Sequence, residues 1–204
     1  MLHFWKTSSP RGLRAGILAS AFNPPTLAHL EIARQGMRQY ALDELLFLLP
    51  QVLPHKEYTG ATFDERLEML TAALQREPRF SIASTDQGLF IDIARACRPF
   101  YGPEAEFFFL CGRDAAERIV NWNYGPGVRF ADLLSEFQML VAPRGGPYIP
   151  PPEFAARIHT LDWPVDFDEY SSSAVREAIV AGRPWEHLVP APVASVIRRE
   201  GLYL

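Results

Sequence analysis

The sequence predicts an α/β fold built on a doubly wound parallel sheet, with helices on both faces and a helical C-terminal part. Three observations carry that expectation. Apolar runs of strand length alternate along the chain with stretches of helical period, the pattern of crossover units. The run Glu106–Gly112 is apolar at nearly every position, which suits a strand covered on both sides. The stretch Leu18–His29 joins a strand pattern to a helix pattern through Asn23-Pro24-Pro25, where two prolines enforce a stiff loop.

Taken in order, residues 1–12 read as a loosely held arm that Trp5 could dock, and residues 13–204 as one domain. Ala15-Gly16-Ile17-Leu18 is the first buried strand. Leu27, Leu30, Ile32, Ala33 and Met37 fall on one face of the helix that follows, with Thr26 as its N-cap. Glu44–Pro50 is a second strand, followed by a loop from Gln51 to Ala61 that contains Pro54-His55-Lys56. Thr62-Phe63-Asp64-Glu65 is a capping-box pattern opening the next helix. Arg79–Ser84 alternates as a strand and Phe90–Arg98 has helical spacing. After the Glu106–Gly112 strand, helix is expected over Asp114–Trp122, ended by Gly125-Pro126-Gly127. Phe130–Phe137 reads as a short helix, Gln138–Ala142 as a strand, and Thr160–Trp163 as a weak strand. Ser171-Ser172-Ser173 caps a helix closed by Gly182, and Pro192–Glu200 forms a terminal one.

The composition is that of an ordinary globular chain: 204 residues, 48% hydrophobic and 22% charged. A net charge of −4 offers no electrostatic case for a nucleic-acid partner. Two cysteines, Cys97 and Cys111, and five histidines lack metal-ligand spacing, so no protein-held metal is expected. The first dozen residues lack the apolar stretch of a signal peptide, and no run reaches the length of a membrane span. A cytoplasmic, soluble protein is expected.

In an open parallel sheet, ligands sit beyond the carboxyl ends of the strands, where strand order reverses. The polar residues gather at such ends. Thr26 and His29 follow the first strand, His55 and Lys56 the second, and Gly112-Arg113-Asp114 the strongest one. Ser171 to Arg176 begin a late helix. Hydroxyls, cationic side chains and two helix N-termini together suit a polyphosphate. Each also has an ordinary role, as cap, surface charge or, for Trp122, packing. Neither glycine-rich phosphate loop, G-x-x-x-x-G-K-[ST] or G-x-G-x-x-G, is present.

Two segments match a known superfamily in the proper order. Phe22–His29 (FNPPTLAH) resembles the [HT]-x-G-H signature of the nucleotidyltransferases, and Ser171–Arg176 (SSSAVR) resembles their second signature, S-S-[ST]-x-[IV]-R. The chain is most similar to the bacterial nicotinate mononucleotide adenylyltransferase family. The likeness runs through Pro54-His55-Lys56, Arg66–Leu70, Gly112-Arg113-Asp114, Trp122, Leu188-Val189-Pro190 and Leu202-Tyr203. It differs where the family has two glycines and a small hydroxyl residue, here Ala19, Ser20 and Ala21, and Ala28 replaces the signature glycine. A family segment of the pyridine nucleotide pocket corresponds to Gly88–Ala94, of which only Asp92 is kept.

The resemblance implies a Rossmann-like fold and an enzyme using ATP and Mg²⁺ to convert a pyridine mononucleotide, nicotinate mononucleotide, into deamido-NAD and pyrophosphate. It implies catalytic roles for His29, Thr26, Arg176 and Lys56. It places ATP against Ala21, Phe22, Asn23, Gly112, Asp114, Ser171 and Ser172, and the acceptor against His55, Phe90 and Trp122. Two alternatives stand beside it: a related transferase acting on NMN or another phosphorylated acceptor, and a catalytically weak nucleotide-binding regulator.

Overall fold

Runs with no polar face can be buried only by covering both sides, and each apolar run is a strand of one sheet. The computed structural model describes residues 1–8, 12–51, 60–164, 167 and 169–204. Its strands are β1 (Leu2–Lys6), β2 (Arg14–Ala19), β3 (Glu44–Pro50), β4 (Phe80–Thr85), β5 (Glu106–Gly112), β6 (Gln138–Ala142) and β7 (Ile158–Thr160). They lie in the order β1-β4-β3-β2-β5-β6-β7. All pairings are parallel except that of β1 with β4. The chain lays down β2, β3 and β4 toward one edge, then crosses back to set β5, β6 and β7 toward the other. The switch point therefore falls between β2 and β5.

The helices are α1 (Leu27–Gln39), α2 (Phe63–Ala73), α3 (Phe90–Tyr101), α4 (Arg113–Val120), α5 (Phe130–Leu133), α6 (Ser172–Val180) and α7 (Ala191–Glu200). Alternate strand residues point to opposite faces, so the sheet carries two cores. On one face, Leu30, Ile32 and Ala33 of α1 and Leu70 of α2 pack on Leu18, Phe47, Phe108 and Leu110. On the other, Ile91, Ile93 and Ala94 of α3, Ala116 of α4 and Phe130 of α5 pack on Ile17, Leu46, Phe109 and Val141. A third cluster joins the outer side of α2, through Met69, to Val175 and Ile179 of α6 and Val193 and Ile197 of α7. Gly36 lets α1 ride close on β5, because a Cβ there would stand 2.5 Å from a Leu110 methyl. Among the described residues no helix is long and apolar enough to cross a membrane.

Four elements depart from expectation. Residues 2–6 are not a loose arm but the antiparallel edge strand β1. Trp5 does dock, donating its indole N–H to Ser84 Oγ at 3.1 Å, and the Lys6 ammonium donates to the carbonyls of Leu74, Glu77 and Phe80 at 2.9, 2.5 and 2.8 Å. Helix α3 runs past Arg98 with Pro99 inside its last turn to Tyr101, and Gly102 at φ +87° ends it. Helix α5 stops at Leu133, where the Ser135 hydroxyl takes the Asp132 carbonyl at 2.7 Å. Strand β7 lies earlier than Thr160–Trp163: buried Ile158 pairs with Met139, and the Asp162 N–H goes to Gln39 Oε1 at 2.9 Å.

Candidate active site

The loop from Ser20 to Thr26 leaves β2 at the switch point, and its conformation is held by elements far apart in sequence. Phe22 has φ +47°, a left-handed setting that costs a bulky residue on the order of 1–2 kcal/mol. Packing supports it: the fully buried ring meets His29 edge-on at 5.1 Å and lies against Phe47 at 5.6 Å. The Asn23–Pro24 peptide bond is cis. Arg66 Nη1 from α2 donates to the Ala21 carbonyl at 2.9 Å. Arg176 Nη1 from α6 donates to the Asn23 carbonyl at 2.6 Å, and Ser172 Oγ donates to the Pro24 carbonyl at 2.7 Å. Near the C-terminus, the Tyr203 hydroxyl donates to Asn23 Oδ1 at 2.7 Å, and burial pushes the Tyr203 phenol well above its ordinary pKa.

The His29 ring is oriented by the residue that starts its helix. The Thr26 backbone N–H, which can only donate, points at His29 Nδ1 at 3.0 Å, and the Thr26 hydroxyl lies 2.8 Å from the same nitrogen. Nδ1 is therefore an acceptor, and a neutral ring carries its proton on Nε2. Nε2 faces Ser20 Oγ at 3.4 Å, toward the cleft. Thr26 is completely buried behind the ring, so it acts through His29 rather than from the cleft wall.

A cleft of about 460 Å³ opens over the carboxyl ends of β2 and β5. The N-terminal turns of α1, α4 and α6 all reach it: His29 from the first, Gly112, Arg113 and Asp114 at the second, and Ser171, Ser172 and Arg176 at the third. Ser171 Oγ caps α6 by accepting from the Ala174 N–H at 3.0 Å. Four arginines line this space, Arg113, Arg118, Arg144 and Arg176, against one carboxylate, Asp114. The cleft is thus strongly cationic in a chain whose net charge is negative. Such a site draws anions and, with its backbone N–H groups, suits several phosphates in a row.

Of the residues singled out from sequence, Ala21, Asn23, His29, Gly112, Asp114, Ser171, Ser172 and Arg176 line this one cleft. Phe22 lies beneath it as packing. His55 and Lys56 lie outside the described residues. Phe90 does not line the cleft. Its partly buried ring stacks on Phe109 at 4.2 Å and meets Phe137 edge-on, packed against the core on the α3 face of the sheet. Trp122 also stands outside the lining, just beyond the end of α4 and 38% exposed. No group of three or more potential metal ligands occurs among the described residues.

Sequence reasoning missed several cleft residues. Arg144 follows β6 at its carboxyl end and donates to the Tyr170 carbonyl at 3.2 Å, so the strand-end rule could have found it. Arg113 was within a recognised motif, and it donates across the cleft to the Gly145 carbonyl at 3.0 Å. Arg118, one turn beyond Asp114, carried a weaker signal. Nothing local marks Arg66 and Tyr203 as supports of the loop, because both act across long sequence separations.

A model of the cytidylyltransferase-like family matches residues 17–178. A probable nicotinate-nucleotide adenylyltransferase from Exiguobacterium sibiricum is 32% identical over 196 residues, spanning 94% of this chain and 99% of the relative. The nicotinate-nucleotide adenylyltransferase of Bacillus subtilis is 28% identical over 196 residues, spanning 93% and 98%. Among solved structures, the nicotinic acid mononucleotide adenylyltransferase of Plasmodium falciparum, complexed with NaAD, has a TM-score of 0.73. At 17% identity, with 93% of this chain and 97% of that one covered, it supports the fold.

Proposed function

Because the chain belongs to the nicotinate-nucleotide adenylyltransferase family of cytidylyltransferase-like enzymes, we propose that it joins ATP to nicotinate mononucleotide, giving deamido-NAD and pyrophosphate. The observation that carries this reading is the union of His29 and Arg176 in one cleft, with Arg176 tied to the loop carbonyl of Asn23. An imidazole N–H, a guanidinium and the start of α6 converge there on a single anionic ligand.

In the proposed reaction an oxygen of the acceptor's 5′-phosphate attacks the α-phosphorus of ATP. The new P–O bond forms as the bond to the β-phosphate oxygen breaks, and that oxygen's electron pair leaves with pyrophosphate. The nucleophile is already an anion, so no serine nucleophile or dedicated base is needed. The chain's task is to hold two polyanions together and to stabilise charge gathering on the phosphate oxygens.

His29 Nε2–H donates to an oxygen at the α- or β-phosphate, with Thr26 fixing the ring. Arg176 grips the β- and γ-phosphates through N–H groups not used on the loop, where its planar fork matches two oxygens. The N–H of Ser172, in the first turn of α6, faces the same anion, while the Ser171 N–H is taken by the Glu169 carbonyl at 3.0 Å. Gly112 allows close approach of the adenosine, and Asp114 accepts from its ribose. Lys56 and His55, by resemblance, supply a further cation beside the phosphates, and Trp122 offers its indole face to the pyridine ring. ATP would enter as its magnesium complex, with phosphate oxygens and water as the ion's main ligands and Asp114 the one carboxylate lining the cleft; the ion would supply neutralisation of phosphate charge.

A pyrophosphate-release assay tests the proposal, with nicotinate mononucleotide and NMN as acceptors and ATP and CTP as donors. Turnover is expected with ATP and the nicotinate acceptor. Turnover with NMN or CTP alone would reassign the acceptor or donor, and nucleotide binding without pyrophosphate in any pairing would make the chain a binding protein.

A further inference from the structure

Three of the cleft arginines are already committed to the architecture. Arg176 holds the Asn23 carbonyl, Arg144 holds the Tyr170 carbonyl, and Arg113 holds the Gly145 carbonyl while lying 3.8 and 3.7 Å from Asp114 and Glu117. Arg118 differs. It lines the same cleft, yet no hydrogen bond or ion pair ties it to another described residue. Asp114 is four residues away on the same side of α4, but the two side chains are not paired.

Its position narrows what it can meet. Helix α4 packs through Ala116 on the sheet face opposite α1. Arg118 therefore stands across the sheet end from the phosphate cradle of His29 and Arg176. Along α4, Asp114 lies in the first turn, Arg118 about 6 Å further out, and Trp122 just beyond the end. The wall thus presents Asp114, then Arg118, then the indole. With the adenosine ribose at Asp114 and the acceptor's phosphate at the reacting phosphorus, the wall from Arg118 to Trp122 is left to the other end of the acceptor, its ring.

We propose that Arg118 is a specificity-determining residue that pairs with the carboxylate of the nicotinate ring and so favours the acid acceptor over the amide. The inference rests on the function proposed above and names what selects its substrate. A guanidinium pairs with a planar carboxylate through two N–H groups, whereas a neutral carboxamide offers one acceptor oxygen and brings its own N–H donors against a cation. Arg118 is exposed and, beyond a long-range attraction for the buried Cys111 thiol, no hydrogen bond or ion pair to a described residue depends on it, so replacing it is expected to leave the fold intact.

The test compares wild type with Arg118→Gln and Arg118→Lys, measuring kcat/KM for nicotinate mononucleotide and for NMN at saturating ATP, with thermal melts to confirm folding. The acid-to-amide ratio is expected to fall about 10- to 100-fold in the glutamine variant, mainly through the KM of the acid, with partial recovery in the lysine variant. An unchanged ratio overturns the assignment, whether both acceptors weaken together, as a phosphate contact would require, or neither does. If wild type releases pyrophosphate with neither acceptor, the function proposed above fails first, and this assignment with it.

Discussion

His29 presents Nε2–H to the cleft because a backbone N–H occupies its other nitrogen, so the ring is a donor before any ligand arrives. Replacing His29 by alanine should lower kcat by about 10²–10³, the usual scale for one transition-state donor, and cost about 1 kcal/mol of stability through the lost acceptor for the Thr26 N–H. Steady-state pyrophosphate release checks it, and near-normal turnover in a folded variant would remove the residue from the mechanism. Arg176 does two jobs: it pins the Asn23 carbonyl and faces the cleft. Arg176→Lys keeps the charge but loses the fork, and a loss of about tenfold or more in kcat/KM for ATP is expected. At this scale the sequence was most informative where residue type and spacing carry chemistry. The pairs Thr26–His29 and Ser171–Arg176 could be read directly. Phe90 could not, since an aromatic at a helix start looks the same whether it faces a ligand or, as here, Phe109. Arg66 and Tyr203 were hidden because their partners lie elsewhere in the chain.

Elements were legible wherever their signal was local. The capping box at the start of α2 is formed as read: the Thr62 N–H donates to Glu65 Oε2 at 2.6 Å, and Thr62 Oγ1 accepts from the Glu65 N–H at 3.3 Å. Thr62→Ala should destabilise the protein by about 1 kcal/mol in urea unfolding. Because α2 also carries Arg66, the variant should raise the KM for ATP modestly and leave kcat alone; a large stability loss with unchanged KM would break that link. Strand β1 was not legible, for a physical reason. Its five residues lie at a sheet edge, with only Leu2 deeply buried, and its partner β4 begins at Phe80. Lys6, which caps the carbonyl end of α2 and the approach to β4, looks from sequence like any exposed lysine. Strand β7 was shifted for a related reason, since pairing with Met139 rather than the local apolar run sets its register.

At the scale of the whole molecule, the two cores bury both thiols, Cys97 completely and Cys111 beneath the cleft. Burial pushes Cys97 and Cys111 up to about 12 each. Both thiols therefore stay almost wholly protonated near pH 8, and both should react with a disulfide reagent at least ~100-fold more slowly in the native protein than in concentrated guanidinium chloride. Rapid labelling of either in the native state would contradict the packing of β5 and α3. The parallel order and its switch point followed from alternating strand and helix patterns, because each crossover has one favoured hand and one way to cover the sheet. The antiparallel edge did not follow, since no crossover governs it. Lastly, Tyr203 grips Asn23 across 180 positions of chain, while α1 forms from immediate neighbours. Contacts that distant are slow to form, because the intervening chain must be brought together before they gain anything. The strands and helices can therefore be largely in place while the turn from Ser20 to Thr26 at the cleft is still unsupported, and a ligand that needs that turn should recognise only molecules that have finished folding.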